Sequence, residues 1–415
     1  MPRGLGDIPS LRLERLQKFV TKFSAQFTLK LANMFPSQDS PSSTIEWESQ
    51  DGTREMAKFK PPGAPTEQSA PLGVAPHSAE AAFWGDKMFF DEEFLNNVRK
   101  AGTESQYLKA KQRLSRELAN MTSRVLRRQE WMTARMLFAG EFAYEVAEGV
   151  KATVDYDIPS DHIVSLSSES LWSTGNKKDI MGDVTDAKER VSLDCGGKVN
   201  WAVCNTSVFK YLATDTTIQT LLQKSTFGEG TLFKGAVEKL TGVNPKPIAA
   251  LLDIDNFLIY DEQYEVRTFL TANVTGGTTT VIYVGNAQDF LAGGTLRFVN
   301  MSTGAKEDET IASVDVEAGT VTVSTAPTAS FRAGRDIVFM RRKFIEDDKI
   351  VFFADNVENQ PIAEYWKAPF GLDRHYGVKP DRWEKKDPDG IYLRVENKGL
   401  PVLYFTDAVY ILTVA

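Results

Sequence analysis

The sequence predicts a mixed α+β chain interrupted by a small all-β insertion, and three observations predict it. Residues 103–138 carry one unusually long helical periodicity. Residues 145–265 alternate strand and helix signals, and that alternation resumes at Phe344. Between them, residues 266–343 hold only short β-rich pieces parted by glycines. Mixed strand and helix runs give α/β or α+β units, whereas closely spaced short strands give a small sandwich or barrel.

Residues 1–43 read as an arm. Leu11, Leu13, Leu16, Val20, Phe23 and Phe27 recur at helical steps up to Pro36. Arg3, Arg12, Arg15, Lys18, Lys22 and Lys30 outnumber Asp7 and Glu14. Such a segment is either a solvated peripheral helix or an arm that docks on a neighbour or a polyanion.

Residues 44–98 read as an extended loop. Thr44–Glu48 and Glu55–Phe59 flank Asp51-Gly52, a hairpin signal. A Pro-rich stretch follows, Pro61-Pro62-Gly63-Ala64-Pro65, then Pro71 and Pro76. An isolated hairpin with few apolar residues is marginal in water. Disordered segments are poor in aromatics, yet Trp47, Phe59, Phe83 and Trp84 lie here. These four, with Asp51 and Gly52 at the expected tip, are candidate contacts to another molecule.

In residues 103–138, Leu108, Leu114, Leu118, Met121, Val125, Met132 and Met136 recur at helical spacing. Thr103 with Gln106 fits a capping box and Gly140 a stop. At 1.5 Å rise per residue such a helix is about 54 Å long, a backbone for an elongated subunit. Arg124, Arg127 and Arg128, and separately Arg341-Arg342-Lys343, form compact basic clusters. Each is either a salt-bridged surface or a contact to a partner's carboxylates.

Farther along, Ala152–Tyr156 reads as a strand, the stretch from Asp179 as a helix, Val199–Cys204 as a buried strand, Phe209–Lys224 as a helix and Leu251–Tyr260 as a second buried strand. The insertion holds strands at Thr280–Val284, Thr295–Val299, Ile311–Val314, Thr320–Val323 and Ile337–Met340. Lys349–Phe353, Ile391–Glu396, Val402–Tyr404 and Val409–Val414 close the chain as strands.

Composition excludes some function classes. In 415 residues, 42% are hydrophobic and 25% charged, so a sizeable core is available and wholesale disorder is ruled out. Lys and Arg number 48 against 56 Asp and Glu, which rules out a chain-wide basic surface. Cys195 and Cys204 alone make neither a disulfide framework nor a tetrahedral zinc site; they read as core thiols in a reducing compartment. The amino terminus lacks a signal-peptide apolar region, and no apolar run matches a membrane span, so a soluble cytoplasmic protein is expected.

Catalytic motifs are scarce. The histidines are His77, His162 and His375, and no HExxH, GxSxG or GxxxxGK[ST] string exists. Gly228-Glu229-Gly230 is a poor relative of a phosphate loop. Asp253-x-Asp255, placed on one face of a strand and helped by Asp261 and Glu262, is the single candidate for a divalent metal, and solvent or a neighbour could equally face it. No cofactor is expected.

The order of arm, extended loop, very long helix, mixed unit and closing strands resembles the lambda-type tailed-bacteriophage major capsid proteins, the capsid protein E family, with its Hong Kong 97-type fold. Two local strings carry the likeness: Asp179–Val199, preceded by Trp172-Ser173, and the ending Gly399-Leu400-Pro401-Val402-Leu403 with the final strand. The resemblance implies an arm at 1–43, an extended loop at 44–98, a peripheral domain at 99–189 and 381–415 that includes the spine helix 103–138, and an axial domain at 190–265 and 344–380. The all-β segment 266–343 departs from the basic family pattern. The implied function is self-assembly, without catalysis, into an icosahedral shell of hexamers and pentamers around double-stranded DNA. Implied partners are further copies of the chain, a portal, a scaffolding protein and, as an option, a decoration protein, with no membrane. The implied location is the virion, reached from the host cytoplasm. Arg12, Arg15, Lys18 and Lys22 would face DNA through its phosphates; Trp47, Asp51, Gly52, Phe59, Phe83, Trp84, Arg124, Arg127 and Arg128 would meet neighbouring subunits. Lys58 and Lys60 lie on the loop, but lambda-type relatives are not expected to crosslink covalently. Two other readings stay open: another virion protein such as a tail tube, and a metal-dependent hydrolase or transferase using Asp253 and Asp255.

Overall fold

The computed structural model describes residues 17–18, 29–50, 56, 59–63, 65, 73–91, 104–147, 150–174, 177–224, 245–387 and 389–415. The chain divides into two compact units: Met1–Tyr260 with Ile345–Ala415, and Asp261–Phe344.

In the first unit, β1 (Ser37–Asp39), β2 (Thr44–Gln50), β3 (Val74–Glu80) and β4 (Ala82–Asp91) precede the spine helix α1 (Glu104–Ala139). Gly140 ends that helix at φ +70°, a left-handed conformation that glycine adopts without strain. The ribbon β5 (Glu141–Ala147) and β6 (Val150–Asp155) follows, then β7 (Ile163–Ser165) and helix α2 (Ile180–Asp194). The Asp179 carboxylate caps α2 by accepting from the Gly182 N–H at 3.0 Å. β8 (Trp201–Cys204) leads to α3 (Thr206–Thr214), α4 (Thr216–Lys224), α5 (Lys246–Leu251) and β9 (Asn256–Ile259).

In the second unit, β10 (Gln263–Phe269), β11 (Val281–Tyr283), β12 (Thr295–Val299), β13 (Lys306–Asp315), β14 (Thr320–Val323) and β15 (Ile337–Lys343) form one sheet in the order β10-β15-β12-β13-β14-β11. Leu270 bridges Val284, and the Gly285 N–H donates to the Phe269 carbonyl at 3.0 Å. The last strand thus returns to the first, and the sheet curls into a barrel. Its interior is filled by Leu296, Phe298, Ile311, Val321, Phe331 and Val338 with their neighbours. Asp336, fully buried, ties the loops: it accepts from the N–H groups of Met301 (3.0 Å) and Arg332 (2.8 Å) and pairs with the Arg335 guanidinium. The hydrogen bonds from that guanidinium hold the Asp336 carboxyl well below the usual range, against the upward effect of its burial.

Back in the first unit, β16 (Lys349–Phe353), the short pair β17 (Asn356–Val357) and β18 (Gln360–Pro361), β19 (Ala363–Lys367), β20 (Lys379–Lys386), β21 (Asp389–Leu403) and β22 (Val409–Thr413) complete the chain. One sheet runs β1-β19-β21-β20, with β4 pairing the opposite edge of β21. The spine helix lies on it, packing Leu114, Leu118, Met121 and Val125 against Phe90, Ile391, Leu393 and Val395. The other large sheet runs β7-β22-β16-β8-β9.

Several expectations change. The partner of β2 is Val74–Glu80, not residues 55–59: Trp47 faces His77 across an antiparallel ladder. Ile45 and Trp47 need a covered face, and the longer connection lets β3 run straight on into β4. The expected single helix over 209–224 is two, because the Asp215 carboxylate caps a new start at Thr217 and Ile218. The expected strand 251–260 begins only at Asn256, after a turn holding Asp253 at φ +49°. Val402–Leu403 ends one long strand, β21, rather than forming its own. The assignment of 145–165 and 409–414 to one domain and of 201–204 and 349–353 to another also fails, since β7, β22, β16 and β8 share a sheet. β22 and β16 are almost wholly buried, and such strands need ladder partners on both sides wherever the chain supplies them.

Candidate inter-subunit surface

The β2–β3 ribbon decides which loop residues can meet a neighbour. Strand alternation turns Ile45 and Trp47 inward and Glu46 and Glu48 outward. Trp47, 6% exposed, stacks on the His77 ring at a 5.3 Å centroid distance and approaches Tyr156 at 6.3 Å. It is therefore covered by its own chain, which corrects its reading as a contact to another molecule. Tyr156, itself buried, donates to the Pro401 carbonyl at 2.6 Å, and burial pushes its phenol upward. The Tyr144 hydroxyl donates to the Glu80 carbonyl at the end of β3; burial, and then the Glu80 carboxylate, push that phenol up to about 12.

Trp84 is likewise held internally. Its indole N–H donates to the Val125 carbonyl of the spine helix at 2.8 Å, and the ring packs on the cluster between helix and sheet. Arg124 pairs with Asp86 at 2.7 Å, and Arg128 lies over the Trp131 ring at 4.9 Å. Arg127 too is engaged in an interaction. Met56 (86% exposed), Phe59 (105%) and Phe83 (51%) are among the described apolar side chains of the 44–98 loop that face outward. The Phe83 ring lies against the Phe370 ring, tilted, at a 5.5 Å centroid distance. Lys18 is exposed in a helical turn. Asp51, Gly52, Lys58, Arg12, Arg15, Lys22, Thr103 and the 228–230 glycine loop lie outside the described residues.

Two carboxylate sites escaped sequence reasoning. Glu130 is buried on the inner face of the spine helix and accepts from the N–H groups of Lys30 (3.0 Å), Leu31 (2.9 Å) and Ala32 (2.9 Å). It thus fixes the point where the arm joins the subunit. The signal was present: Glu130 stands four residues after the apolar Leu126 and four before Ala134, on the inward stripe. The second is Glu364, in a cleft of about 730 Å³ between the β2–β3 ribbon and β18, β19 and β1. Its carboxylate accepts from Gln38 (2.7 Å), Trp366 (3.1 Å) and Tyr404 (2.9 Å). Burial, reinforced by the Glu364 carboxylate, raises the Tyr404 phenol well above its ordinary value.

The metal candidate dissolves. Asp253 and Asp255 sit around a turn, not on one strand face, and Asp253 is held by Lys188 (3.4 Å) and Lys198 (3.3 Å). Those lysines lower its carboxyl by charge and by hydrogen bonding. Among the described residues, no group of three His, Cys, Asp or Glu side chains converges as metal ligands. Cys195 and Cys204 are buried, and the Cys195 thiol donates to the Val191 carbonyl at 3.1 Å. No helix of the described residues is long and apolar enough to cross a membrane.

Comparison with known proteins completes the picture. No curated protein matches the sequence. A structure assigned as the capsid protein of a prophage, from E. coli CFT073, covers 97% of this chain and 99% of its own at 12% identity, with a TM-score of 0.51. A phage-related protein from Bordetella bronchiseptica RB50 covers 96% and 97% at 11% identity, TM-score 0.48. A chain from Mycobacterium phage Patience covers 98% and 88% at 9% identity, TM-score 0.39. The first likeness shows a shared fold: the mixed α+β architecture is that of phage capsid proteins, Hong Kong 97-like. The family model described as phage major capsid protein E matches residues 18–311, well over half the sequence, and the chain accordingly belongs to that family.

Proposed function

We propose that this capsid protein acts by self-association. Many copies close into an icosahedral shell of hexamers and pentamers that encloses packaged double-stranded DNA, and no catalytic step is involved. The observation that carries this is the outward exposure of Met56 and Phe59 on the 44–98 loop, two large apolar side chains that no described residue covers. Apolar surface of that kind is removed from water by a neighbour. Identical subunits repeating one contact close by symmetry. The spine helix is the rigid member along which a later expansion, driven as DNA enters, would bend.

The arm 1–43 and loop 44–98 are the connecting parts in this reading. A scaffolding protein guides closure in the host cytoplasm, a portal occupies one vertex, and the finished protein resides in the virion. Contacts of Arg12, Arg15, Lys18 or Lys22 with DNA would be phosphate-directed, blind to sequence and weakened by salt. The all-β unit is an inserted domain that projects outward as a built-in decoration. Antibodies against residues 266–343 should label intact particles; labelling confined to broken shells overturns the outward placement.

Negative-stain microscopy of the purified full chain tests the main reading. Closed shells are expected. A chain that stays a monomer at every concentration and salt tried overturns it.

A further inference from the structure

The β unit carries one face without charge. Residues 268–288 and 318–331 contain no Asp, Glu, Lys, Arg or His, in a chain that is 25% charged. The fold brings these two stretches together, since β11 pairs with β14 and Leu270 bridges Val284. Ile282, Val284, Val321 and Val323 fill the barrel interior, so alternation turns the residues between them outward. Phe269 and Tyr283 stand on that outer side, 55% and 50% exposed, with Val281 exposed beside them. A Cβ at Gly285 would lie 2.7 Å from Phe269 Cζ, so the phenyl ring rests over the glycine backbone. Tyr283 stands diagonally across the strand pair from Phe269, about 7–8 Å away. Hydroxyls surround the two rings. The Thr271 N–H donates to the Tyr283 carbonyl at 3.0 Å, and Val281 faces Thr322, which in turn faces Ser313. Arg267, two residues before Phe269, and Asp315, opposite Thr320, mark the margins.

We propose that this face binds a neutral polysaccharide built of hexopyranose units, an activity separate from shell assembly. A hexopyranose has a face of C–H groups and a rim of hydroxyls. The C–H face stacks on an aromatic ring, and both leave water. Each rim hydroxyl is donor and acceptor at once and pairs with threonine and serine hydroxyls of the same kind. Lack of charge sets the ligand class, because a charged polymer finds no counter-charge here. Size sets it too. A half-exposed Phe or Tyr offers about 75–125 Å². The two rings with Val281 therefore fall well short of the ~800 Å² per partner that a stable protein interface buries. A chain of small repeating units laid across both rings suits a surface of that extent. Both rings sit on paired strands, so little ordering is lost when a sugar settles on them.

Affinity electrophoresis of the purified full chain tests this, in native gels cast with amylose, laminarin or galactomannan as neutral probes and with dextran sulfate as a charged one. Retardation by at least one neutral probe is expected, and added salt should leave it unchanged, because no ion pair holds the sugar. F269A and Y283A should each weaken that binding about tenfold. Y283F, which keeps the ring, should retain most of it, and L193A, at an exposed apolar residue of the other unit, should retain all of it. Hydroxyl-radical footprinting of the unaltered chain decides the matter if an alanine variant misfolds: the bound probe should shield Phe269 and Tyr283 from oxidation and leave Leu193 unshielded. No retardation by any of the three neutral probes overturns the proposal. So do retardation by dextran sulfate alone, undiminished binding by F269A and Y283A, and shielding confined to other residues. Particles that form from the unaltered chain but not from well-folded F269A or Y283A would give the face to a neighbouring copy, and overturn it as well.

Discussion

The Tyr260 hydroxyl donates a 2.8 Å hydrogen bond to Glu130 Oε1, linking the residue just before the β unit to the carboxyl-terminal third of the spine helix. The same carboxylate receives three backbone N–H groups at residues 30–32. One buried side chain on the helix therefore anchors the root of the arm. Replacing it by alanine leaves those buried donors without acceptors, at about 1–3 kcal/mol for each group stranded from water. E130A should lower the denaturant midpoint markedly, and Y260F, which removes one bond, by about 1 kcal/mol. Equal small effects for both would contradict the anchoring role.

Trp84 separates packing within the subunit from packing between subunits. With its indole bonded to Val125 and its half-buried ring packed on the helix–sheet cluster, W84A should cost about 1–3 kcal/mol in the folding of the unassembled chain. Circular dichroism on unassembled protein reads this directly. A variant that folds normally and fails only in assembly would return Trp84 to the interface.

Phe59 should behave in the opposite way. As an exposed side chain its replacement by serine should stay within about 0.5 kcal/mol in folding, while particle yield in sedimentation falls sharply. Normal yield from F59S would remove the loop's apolar residues from the assembly contacts.

Asp336 sets an acid limb for the β unit. Its carboxyl titrates lower in the folded state than in the unfolded chain, so its contribution is fully present above the unfolded value near 4 and is lost as pH falls through the folded value. Thermal unfolding followed from pH 6 downward should show a falling midpoint. D336N should be less stable at neutral pH and should show a shallower acid decline. An unchanged slope would mean that other carboxylates govern it.

Asp253 and Asp255 give a negative control. D253N removes the pairing with Lys188 and Lys198 at an exposed turn, and particle assembly with D253N/D255N should match the unaltered chain by microscopy. Loss of particles would point to a role for this turn that its geometry does not indicate.

Legibility in the sequence followed locality. The spine helix was readable because seven apolar residues repeat at helical steps, and the observed bounds, Glu104–Ala139, differ by one residue at each end. Thr295–Val299, Thr320–Val323 and Lys349–Phe353 were readable because β-branched and aromatic residues crowd between turn signals. β3, Val-Ala-Pro-His-Ser-Ala-Glu, carries almost no strand signal; only its pairing with β2 across a long connection makes it one, and Pro76 is tolerated in a two-stranded ribbon. β20, Lys-Pro-Asp-Arg-Trp-Glu-Lys-Lys, is similarly polar and is held by β21. The Glu364 cleft was invisible for the same reason: Gln38 and Glu46 come from one stretch of chain, and Glu364 and Tyr404 from another, with 326 positions between Gln38 and Glu364.

The closing of the barrel has a practical corollary. The chain enters it through β10 and leaves through β15, neighbouring antiparallel strands that pair Gln263 with Lys343, and the Phe344 N–H still donates to the Glu262 carbonyl at 3.3 Å. Entry and exit are thus side by side, on two paired neighbouring strands. A short bridge of glycines and serines would span that gap, because the two paired ends lie within one backbone hydrogen bond of each other.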